Sequence, residues 1–323
     1  MRIRSVLLAS AAVLFCTASN SFATGTLLAH TWVSGSGSDS NACTFASPCA
    51  TFAGALAKTT AGGLITAKDA GDFGQVTIAQ SVTIDGSNLG SITGGTTAAI
   101  AITALANVTV QNLTINGMGS DFGIEVENGG NVIVDNCRIQ NIGADGITFA
   151  GAGNLTVENS RIESFIVSSG TGIYIDASAA QNVVVRNTVI DTLFLGESFG
   201  FFVNAGTGPV TASLQNVTIM HAGFAVYSGS GVTEITGSVL TQSVTGLRAD
   251  NGATVSVASS MITANTTGVC SGASSKIRLD NNDIYDNTTA IANCGGIIKT
   301  STTNKTSGTI AIPASDVSDS VTF

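Results

Sequence analysis

Apolar and polar positions alternate along this chain in a short phrase that recurs eight times between residues 108 and 284. Residues 108–115 (VTVQNLTI) show its form: two alternating apolar residues, a corner residue, and a further apolar residue three positions later. The corner residues are Asn112, Asn136, Asn159, Asn187, Asn216, Gly237, Ser259 and Asn281, at intervals of 24, 23, 28, 29, 21, 22 and 22 residues. A period of this length predicts stacked supersecondary units that cannot bury their apolar faces alone.

A second strand-like phrase follows each first one: glycine, an apolar residue, any residue and an apolar residue. It begins at Gly123, Gly146, Gly172, Gly200, Gly223 and Gly246, and it decays at Gly268 and Ala290. Both phrases have a period of two, so their apolar residues share one face of a strand. Short strands joined by Gly, Asn and Ser turns leave no room for the helical segments of leucine-rich repeats. The sequence therefore predicts an all-β parallel β-helix of about ten coils, each hydrogen-bonded to the next.

The asparagines at the corners predict a structural ladder. An asparagine side chain can satisfy backbone groups of a turn, and asparagine tolerates the left-handed conformation. Stacked amides can also hydrogen-bond to one another along the rod. We expect this role for Asn112, Asn136, Asn159, Asn187 and Asn216, with ligand binding as the alternative.

The N-terminus has the pattern of a secretory signal peptide over residues 1–23. Arg2 and Arg4 precede an apolar run at residues 6–15, and residues 21–23 (SFA) form a cleavage site. No later apolar stretch reaches spanning length, so we expect no membrane span and a secreted or periplasmic protein. Without the signal, ten basic residues face twenty-one acidic ones, which argues against nucleic acid or anionic lipid as a partner. We expect a monomer.

The domain organisation that we predict places an N-terminal cap at residues 24–62, the β-helix at 63–298 and a C-terminal cover or tail at 299–323. Residues 49–58 form the one helical segment, because Phe52, Ala55 and Leu56 make an apolar stripe. Such a helix suits the open end of a β-helix, where strand edges lack partners.

Five cysteines remain after signal removal, and a secreted chain permits disulfides. Cys43 and Cys49, six residues apart, are expected to pair. Cys270 and Cys294 fall on neighbouring coils but two positions out of line. A disulfide between them would need a bulge, so the sequence does not decide whether they are bonded. Cys137 has no evident partner and is expected to be a buried free thiol. No spacing matches a zinc site.

The N-terminal segment carries a family resemblance. Residues 32–43 (WVSGSGSDSNAC), followed by 48–52 (PCATF) and Ala55, resemble the opening of secreted bacterial right-handed parallel β-helix proteins of the pectin-lyase-like superfamily. Asp85-Gly86 after an apolar strand is similar to the early coils of that group. The resemblance implies a right-handed β-helix, but it does not fix an activity, because the superfamily includes lyases, hydrolases, esterases, epimerases and adhesins.

In enzymes of this superfamily the substrate groove lies on the outward face of the first sheet, which the glycine phrases would form here. One outward column then contains Glu125, Thr148, Tyr174, Phe202, Ala225, Arg248 and Cys270. The other contains Glu127, Ala150, Asp176, Asn204, Tyr227, Asp250 and Gly272. The loops before Gly172 and Gly200 are also longer than those of the last three coils. Outward aromatic rings beside carboxylates suit sugars; the alternative is a satellite core in which the long loops cover Tyr174 and Phe202.

The candidate catalytic residues are Glu125, Glu127 and Asp176, because glycoside hydrolysis needs two carboxyl groups about 5–9.5 Å apart. The candidate substrate-binding residues are Tyr174, Phe202, Asn204, Tyr227, Arg248 and Asp250. A lyase would want carboxylate-bound Ca²⁺, but no tight Asp cluster supports it and no cofactor is evident. Arg248 beside Asp250 is either a base or half of a surface ion pair. His221 is expected to be a solvated turn residue.

A further charged group surrounds the corner asparagines. Asp135, Glu158 and Arg186 fall in one column, and Arg138 and Arg161 in the next. Opposite charges on adjacent strands support each other, so these residues predict a structural network, with recognition of an anionic polymer as the alternative.

These observations favour an exported protein that binds an extended polysaccharide along one outward sheet face. A polysaccharide lyase or glycoside hydrolase acting on the same face is the first alternative. A non-catalytic adhesin or structural rod is the second.

Overall fold

The computed structural model describes residues 26–163, 165–166, 169–193 and 196–311. The predicted signal peptide, residues 1–23, lies outside the described residues. Within these ranges no helix combines the length and the apolar character needed to cross a bilayer.

The described chain winds through three parallel sheets, and each full coil contributes one strand to each sheet in a fixed order. This confirms the predicted parallel β-helix, with about eleven coils rather than ten. The first sheet consists of Val76–Ile78, Ala98–Ile102, Phe122–Val126, Asp145–Phe149, Thr171–Ile175, Phe199–Val203, Phe224–Ser228, Thr245–Ala249, Thr267–Gly272, Thr289–Cys294 and Thr309–Ile310.

The second and third sheets follow the first in each coil. The second sheet consists of Leu28–Val33, Thr59–Ala67, Val82–Asp85, Ala106–Gln111, Gly130–Asp135, Gly153–Glu158, Gln181–Arg186, Val210–Gln215, Val232–Thr236, Thr254–Ala258, Lys276–Asp280 and Ile297–Thr300. The third consists of Gly71–Asp72, Gly90–Thr93, Thr114–Asn116, Arg138–Gln140, Arg161–Glu163, Val189–Asp191, Thr218–Met220, Val239–Thr241, Met261–Thr263, Asp283–Tyr285 and Lys305–Thr306.

The core runs along the rod as columns of aligned apolar residues. In the third sheet each strand has one inward side chain, and from the second strand to the tenth it is always isoleucine or leucine. These side chains are fully buried: Ile92, Ile115, Ile139, Ile162, Ile190, Ile219, Leu240, Ile262 and Ile284. Side chains of the same type on successive coils stack at the spacing of paired strands and pack closely. The sequence repeat therefore produces a continuous core along the rod.

The corner between the second and third sheets is a left-handed residue in coil after coil. The asparagines predicted there have φ between 49° and 55° and project outward, with all except Asn112 exposed. Their side-chain amides form Asn136→Asn112 (2.8 Å), Asn187→Asn159 (3.3 Å) and Asn216→Asn187 (2.9 Å) hydrogen bonds. Asn159 donates instead to Asp135 at 2.8 Å. A second exposed amide ladder, not predicted from the sequence, joins Asn107, Asn131, Asn154 and Asn182 on the second sheet.

The residue after each corner turns inward and completes the corner. Where it is polar, its side-chain oxygen accepts a hydrogen bond from the backbone N–H at the same place in the preceding coil, as Ser160 does for Cys137 (3.1 Å) and Asn282 for Ser260 (2.9 Å). Cys137 occupies this inward column as a buried free thiol. Burial raises its pKa to about 12.

The expected Cys43–Cys49 disulfide is present, and so is the Cys270–Cys294 disulfide, which the sequence left open. Cys43 and Cys49 staple the N-terminal segment, next to the helix Phe52–Leu56. Cys270 and Cys294 are bonded with their Cα atoms 5.7 Å apart. The two strands pair in regular register over Thr267–Gly272, so the expectation that this bond needs a bulge is wrong. A disulfide can span two diagonal positions because its Cα–Cα distance tolerates about 4.4–6.8 Å.

The two ends differ from the predicted boundaries. The strand Leu28–Val33, within the predicted cap, already pairs in parallel with Thr59–Ala67. At the other end, Lys305–Thr306 and Thr309–Ile310 pair with the preceding coil, so the β-helix continues past residue 298. Residues 312–323 of the predicted cover lie outside the described residues.

The corner geometry predicts opposite responses to glycine at two asparagines. Asn187 (φ 50°) is left-handed, whereas Asn182 lies in an extended strand. We expect Asn187→Ala to lower the free energy of unfolding by about 1–2 kcal/mol more than Asn187→Gly, since only alanine is strained there. At Asn182 the order should reverse, with glycine the worse. Urea unfolding of the four variants would measure this; the same order at both sites would contradict the corner assignment.

Candidate functional site

The outward face of the first sheet presents three columns of side chains. The middle column is Thr77, Ala101, Glu125, Thr148, Tyr174, Phe202, Tyr227, Arg248, Cys270 and Ala292. Most of this column follows the sequence prediction. Tyr227 is the exception: it was assigned to the flanking column, with Ala225 in the middle one, and the structure pairs Phe202 with Tyr227.

The misassignment of Tyr227 comes from a glycine outside the strand. Gly223 lies in the short loop before the strand, where its N–H donates to the Ser198 hydroxyl at 3.0 Å. Ala225 takes the buried place that Gly200 and Gly246 hold in the neighbouring coils. Because the phrase was aligned on its glycine, the register slipped by two residues, which keeps every side chain on its correct face.

A cluster of five aromatic rings lies in the middle of this face; we call Tyr174, Phe199, Phe202, Phe224 and Tyr227 the aromatic cluster. Phe199 stacks on Phe202 (4.5 Å between centroids, 16° between planes) and on Phe224 (5.3 Å, 12°). Tyr227 meets these three rings edge-on at 5.1–5.7 Å. Tyr174 contacts the other edge of Phe202 at 5.3 Å. All five side chains are half-buried, so each keeps a surface for a ligand.

Phe199 and Phe224 were missed in the sequence as part of this face. They precede the glycine position, and their column also holds Phe122, Asp145 and Thr171. The signal that was missed is the recurrence of Phe, Asp or Thr just before each glycine. This recurrence marks a third outward column of side chains. The satellite-core alternative would cover Tyr174 and Phe202 with loop residues. Of the described long-loop residues, Phe165 packs in the interior, Ile166 and Leu193 are exposed, and Phe199 stacks on Phe202. Phe194 and Leu195 lie outside the described residues, so the satellite-core alternative stays a prediction.

Polar groups border the aromatic cluster. Asn204 donates to the Tyr174 hydroxyl at 2.9 Å. Burial raises the pKa of Tyr227, and its hydrogen bond to Asp250 raises it further. Asp250 also pairs with Arg248 (Nε–Oδ2 2.5 Å), which favours the ion-pair interpretation of Arg248 over that of a catalytic base. The predicted substrate-binding residues therefore lie in one contiguous area.

A groove of about 860 Å³ lies on the same face, nearer the N-terminal end. It is lined by Glu125, Glu127, Gln75, Gln80, threonines of the first coils, and Ala53, Leu56 and Ala57 around the capping helix. Desolvation raises the pKa of Glu125, and the charges of Glu127 and Asp121 raise it further. The two glutamates lie two residues apart on one strand, about 7 Å by strand rise. This separation lies within the range of glycosidase carboxyl pairs.

The third predicted catalytic residue is not in this groove. Asp176 lies two coils further along the flanking column, about 10 Å from Glu127 by strand spacing, beside Tyr174. The sequence prediction missed Asp145, a more buried carboxyl group. The Thr148 hydroxyl donates to it at 2.9 Å, and burial raises its pKa although Thr148 and Thr171 stabilise the carboxylate. Asp145 lies between the groove and the aromatic cluster.

Ca²⁺ was left open as a cofactor of a lyase. In the described part of the chain, no group of three or more His, Cys, Asp or Glu side chains is placed to hold a metal ion.

Comparisons with known proteins agree on the fold. A family model described as "Right handed beta helix region" matches residues 72–213. The crystal structure of pectate lyase Pel9A has a TM-score of 0.58 at 14% identity, covering 90% of this chain and 78% of that one. These matches show a right-handed parallel β-helix fold. No curated protein sequence matches it.

A second solved structure similar to this β-helix protein is the GH136 lacto-N-biosidase from Eubacterium ramulus. It has a TM-score of 0.59 at 11% identity and covers 89% of this chain and 67% of that one. At such identities the likeness concerns the fold.

The charged groups at the corner of the β-helix protein form ion pairs on its second and third sheets. Glu158 pairs with Arg186 at 2.5 Å, as the shared column predicted. Arg138 and Arg161 instead share Glu163, a third-sheet residue that the sequence analysis did not consider. Burial opposes ionisation of Glu163, but hydrogen bonds from Arg161 and Arg138 lower its pKa. These partners favour the structural network over recognition of an anionic polymer.

His221 has a partner, contrary to the expectation of a solvated turn residue. Its Nδ1 lies 2.9 Å from Oδ1 of Asp191, which is buried, and its carbonyl oxygen accepts from the Thr192 hydroxyl at 2.6 Å. The histidine has φ 56°, so it is a left-handed corner at the end of the third sheet. Sequence spacing alone could not reveal that Asp191, one coil earlier, reaches it.

The lowered pKa of Glu163 predicts a pH-dependent contribution to stability. A carboxylate whose pKa falls on folding stabilises the native state above its unfolded pKa, and this contribution disappears as the pH falls through the folded value. We expect Glu163→Gln to lower the free energy of unfolding by about 1–2 kcal/mol at pH 7, with partly exposed arginines limiting the effect. The loss should shrink below about pH 4.

Urea unfolding between pH 3 and 7 would measure this loss. Glu234→Gln is the control, since Glu234 is exposed and, among the described residues, no hydrogen bond or ion pair involves its side chain. A pH-independent loss at Glu163 would contradict the ion-pair assignment.

Proposed function

We propose that the protein binds an extended polysaccharide along the outward face of the first sheet. The observation that carries this proposal is the aromatic cluster, five rings held half-exposed on a regular β surface. Sugar rings offer apolar faces and polar rims. The cluster offers ring surfaces, and Asn204, Arg248 and Asp250 offer hydrogen-bonding groups at its border.

The shape of the face supports an extended ligand. The groove with Glu125 and Glu127 and the aromatic cluster lie along the same columns, with Thr148 and Asp145 between them. Successive coils repeat at about 4.8 Å, so a linear polymer running along the rod would meet the same columns repeatedly. The fold likeness to a pectate lyase and a lacto-N-biosidase adds support, since both names denote action on carbohydrate.

Catalysis on the same face is the second candidate, and the raised pKa of Glu125 favours it. A glycosidase needs one carboxyl group that stays protonated and a second that is ionised. Glu125 and Glu127, side by side in the groove, could share these roles as acid and as nucleophile or base. In the alternative of an inert rod, the aromatic cluster would only pack on itself, and no ligand would contact it.

Removing rings should weaken retention of the polysaccharide. We expect Phe202→Ala and Tyr227→Ala each to cost about 1–2 kcal/mol of binding, roughly 5- to 30-fold in affinity, because central aromatic residues dominate such interfaces. Affinity electrophoresis against a panel of soluble polysaccharides would measure this. Phe45→Ala is the control, since it removes an exposed ring (57%) from the N-terminal segment. Unchanged retention in folded Phe202 and Tyr227 variants would refute the proposal.

A second experiment separates binding from catalysis. As a binder, the wild-type protein should leave polymer viscosity and the number of reducing ends unchanged over long incubation. If products do appear, the Glu125→Gln/Glu127→Gln variant shows whether the activity comes from this groove or from a contaminating enzyme. An enzyme that uses these carboxyl groups would lose turnover in the variant while still retaining polymer. Product release that depends on these glutamates would establish the hydrolase alternative.

A further inference from the structure

The proposed binding face carries an uneven set of charges. In the three outward columns of the first sheet, the described residues include five carboxyl groups and one cation. The carboxyl groups belong to Glu125, Glu127, Asp145, Asp176 and Asp250. The cation is Arg248.

This one cation is already paired. Arg248 donates to both carboxylate oxygens of Asp250, at 2.5 Å from Nε and 3.4 Å from Nη2. The hydrogen bond to Asp250 raises the pKa of Arg248. Recognition of a carboxylate or sulfate on a ligand uses the same guanidinium donors. An anionic sugar bound at Arg248 would therefore have to compete with Asp250 inside the site.

The other arginines of the central coils lie elsewhere on the rod. Arg138 and Arg161 are on the third sheet and share Glu163, and Arg186 is on the second sheet with Glu158. The sequence therefore places its cations away from the aromatic cluster. The neighbouring faces of these coils carry both signs, with Arg186 beside Glu158 on the second sheet and Arg138 and Arg161 beside Glu163 on the third.

The carboxyl groups nearest the groove repel one another. The pKa of Glu125 is raised by desolvation, then by Glu127 and by Asp121, which is exposed in the adjoining loop. A ligand carboxylate entering this groove would add another negative charge within a Debye length of all three. Hydroxyl groups of an uncharged sugar meet no such penalty, and they can donate hydrogen bonds to ionised carboxylates.

We propose that this face selects glycans without negative charge and rejects polymers that carry carboxylates or sulfates. The selection rests on the proposed polysaccharide-binding function and specifies its ligand class. The aromatic cluster supplies contact with the sugar rings, and the acidic surroundings supply the discrimination, since specificity requires a repulsive element against the wrong partner.

Matched polymers test this selection. Galactomannan, glucomannan, xyloglucan and hydroxyethylcellulose would each be compared with the same polymer after oxidation of its primary alcohols to carboxylates. We expect at least one neutral form to be retained in affinity electrophoresis, and its oxidised form to bind on the order of tenfold more weakly at low ionic strength. The difference should shrink in high salt, because screening weakens repulsion.

The outcomes separate the two proposals. Equal or tighter binding of the oxidised forms would overturn the charge selection and leave polysaccharide binding intact. Failure to retain any of the eight polymers would contradict polysaccharide binding itself. The comparison would be made with Ca²⁺ and with a chelator, and oxidised polymers that bind as well as neutral ones when Ca²⁺ is present would also overturn the selection.

A charge variant locates the repulsion. Glu125→Gln/Glu127→Gln removes two negative charges from the groove, so the oxidised form should gain affinity relative to the neutral form by roughly three- to tenfold at low salt. Glu234→Gln removes one charge from the second sheet and should leave this ratio unchanged. An unchanged ratio in the double variant would show that these glutamates do not discriminate.

Discussion

The structure depends on turning the chain at each corner while keeping the backbone groups of neighbouring coils aligned. A left-handed residue makes the turn between the second and third sheets, and the N–H of that residue donates to the next coil, as Asn112 does to Asp135 at 3.1 Å. Polar residues that follow, such as Ser160, then satisfy the next N–H from inside the rod. Because the coils from Asn112 to Asn281 make the corner in the same way, inward and outward columns stay in register over these coils.

This constraint explains why so much of the fold could be predicted from the sequence. Left-handed corners favour asparagine or glycine, and inward positions favour apolar residues, so residues such as Asn136 and Ile139 recur as recognisable signals in most repeats. The fold does not restrict the residue type in this way at outward positions or in loops. Tyr227 was placed in the wrong column because a loop glycine, Gly223, resembled a strand glycine. Asp145 was missed because phenylalanine, aspartate and threonine alternate at the position before the glycine, and this mixed pattern was not recognised as an outward column.

The same freedom concentrates function on the outward columns. A fully repetitive rod offers identical surfaces on every coil, and only the outward side chains and the loops distinguish one stretch from another. In the middle column, the positions of Ala101 and Thr148 are small, whereas Tyr174, Phe202 and Tyr227 occupy three successive coils. The regular spacing of the coils fixes the rings relative to one another, so the proposed binding would require little ordering of the site.

The core of the rod is filled without these rings. On the same strands the inward positions are already filled by Ile173, Phe201 and Val226, all completely buried. Coils whose outward positions hold threonine or alanine complete the same sheet with the same register. Half-exposed rings on such a surface leave apolar area in water, which the hydrophobic effect opposes at about 25 cal/mol per Å². The rings also pack on one another, with Phe199 stacked on Phe202 and on Phe224, so they contribute to the stability of this face as well as to the proposed binding surface.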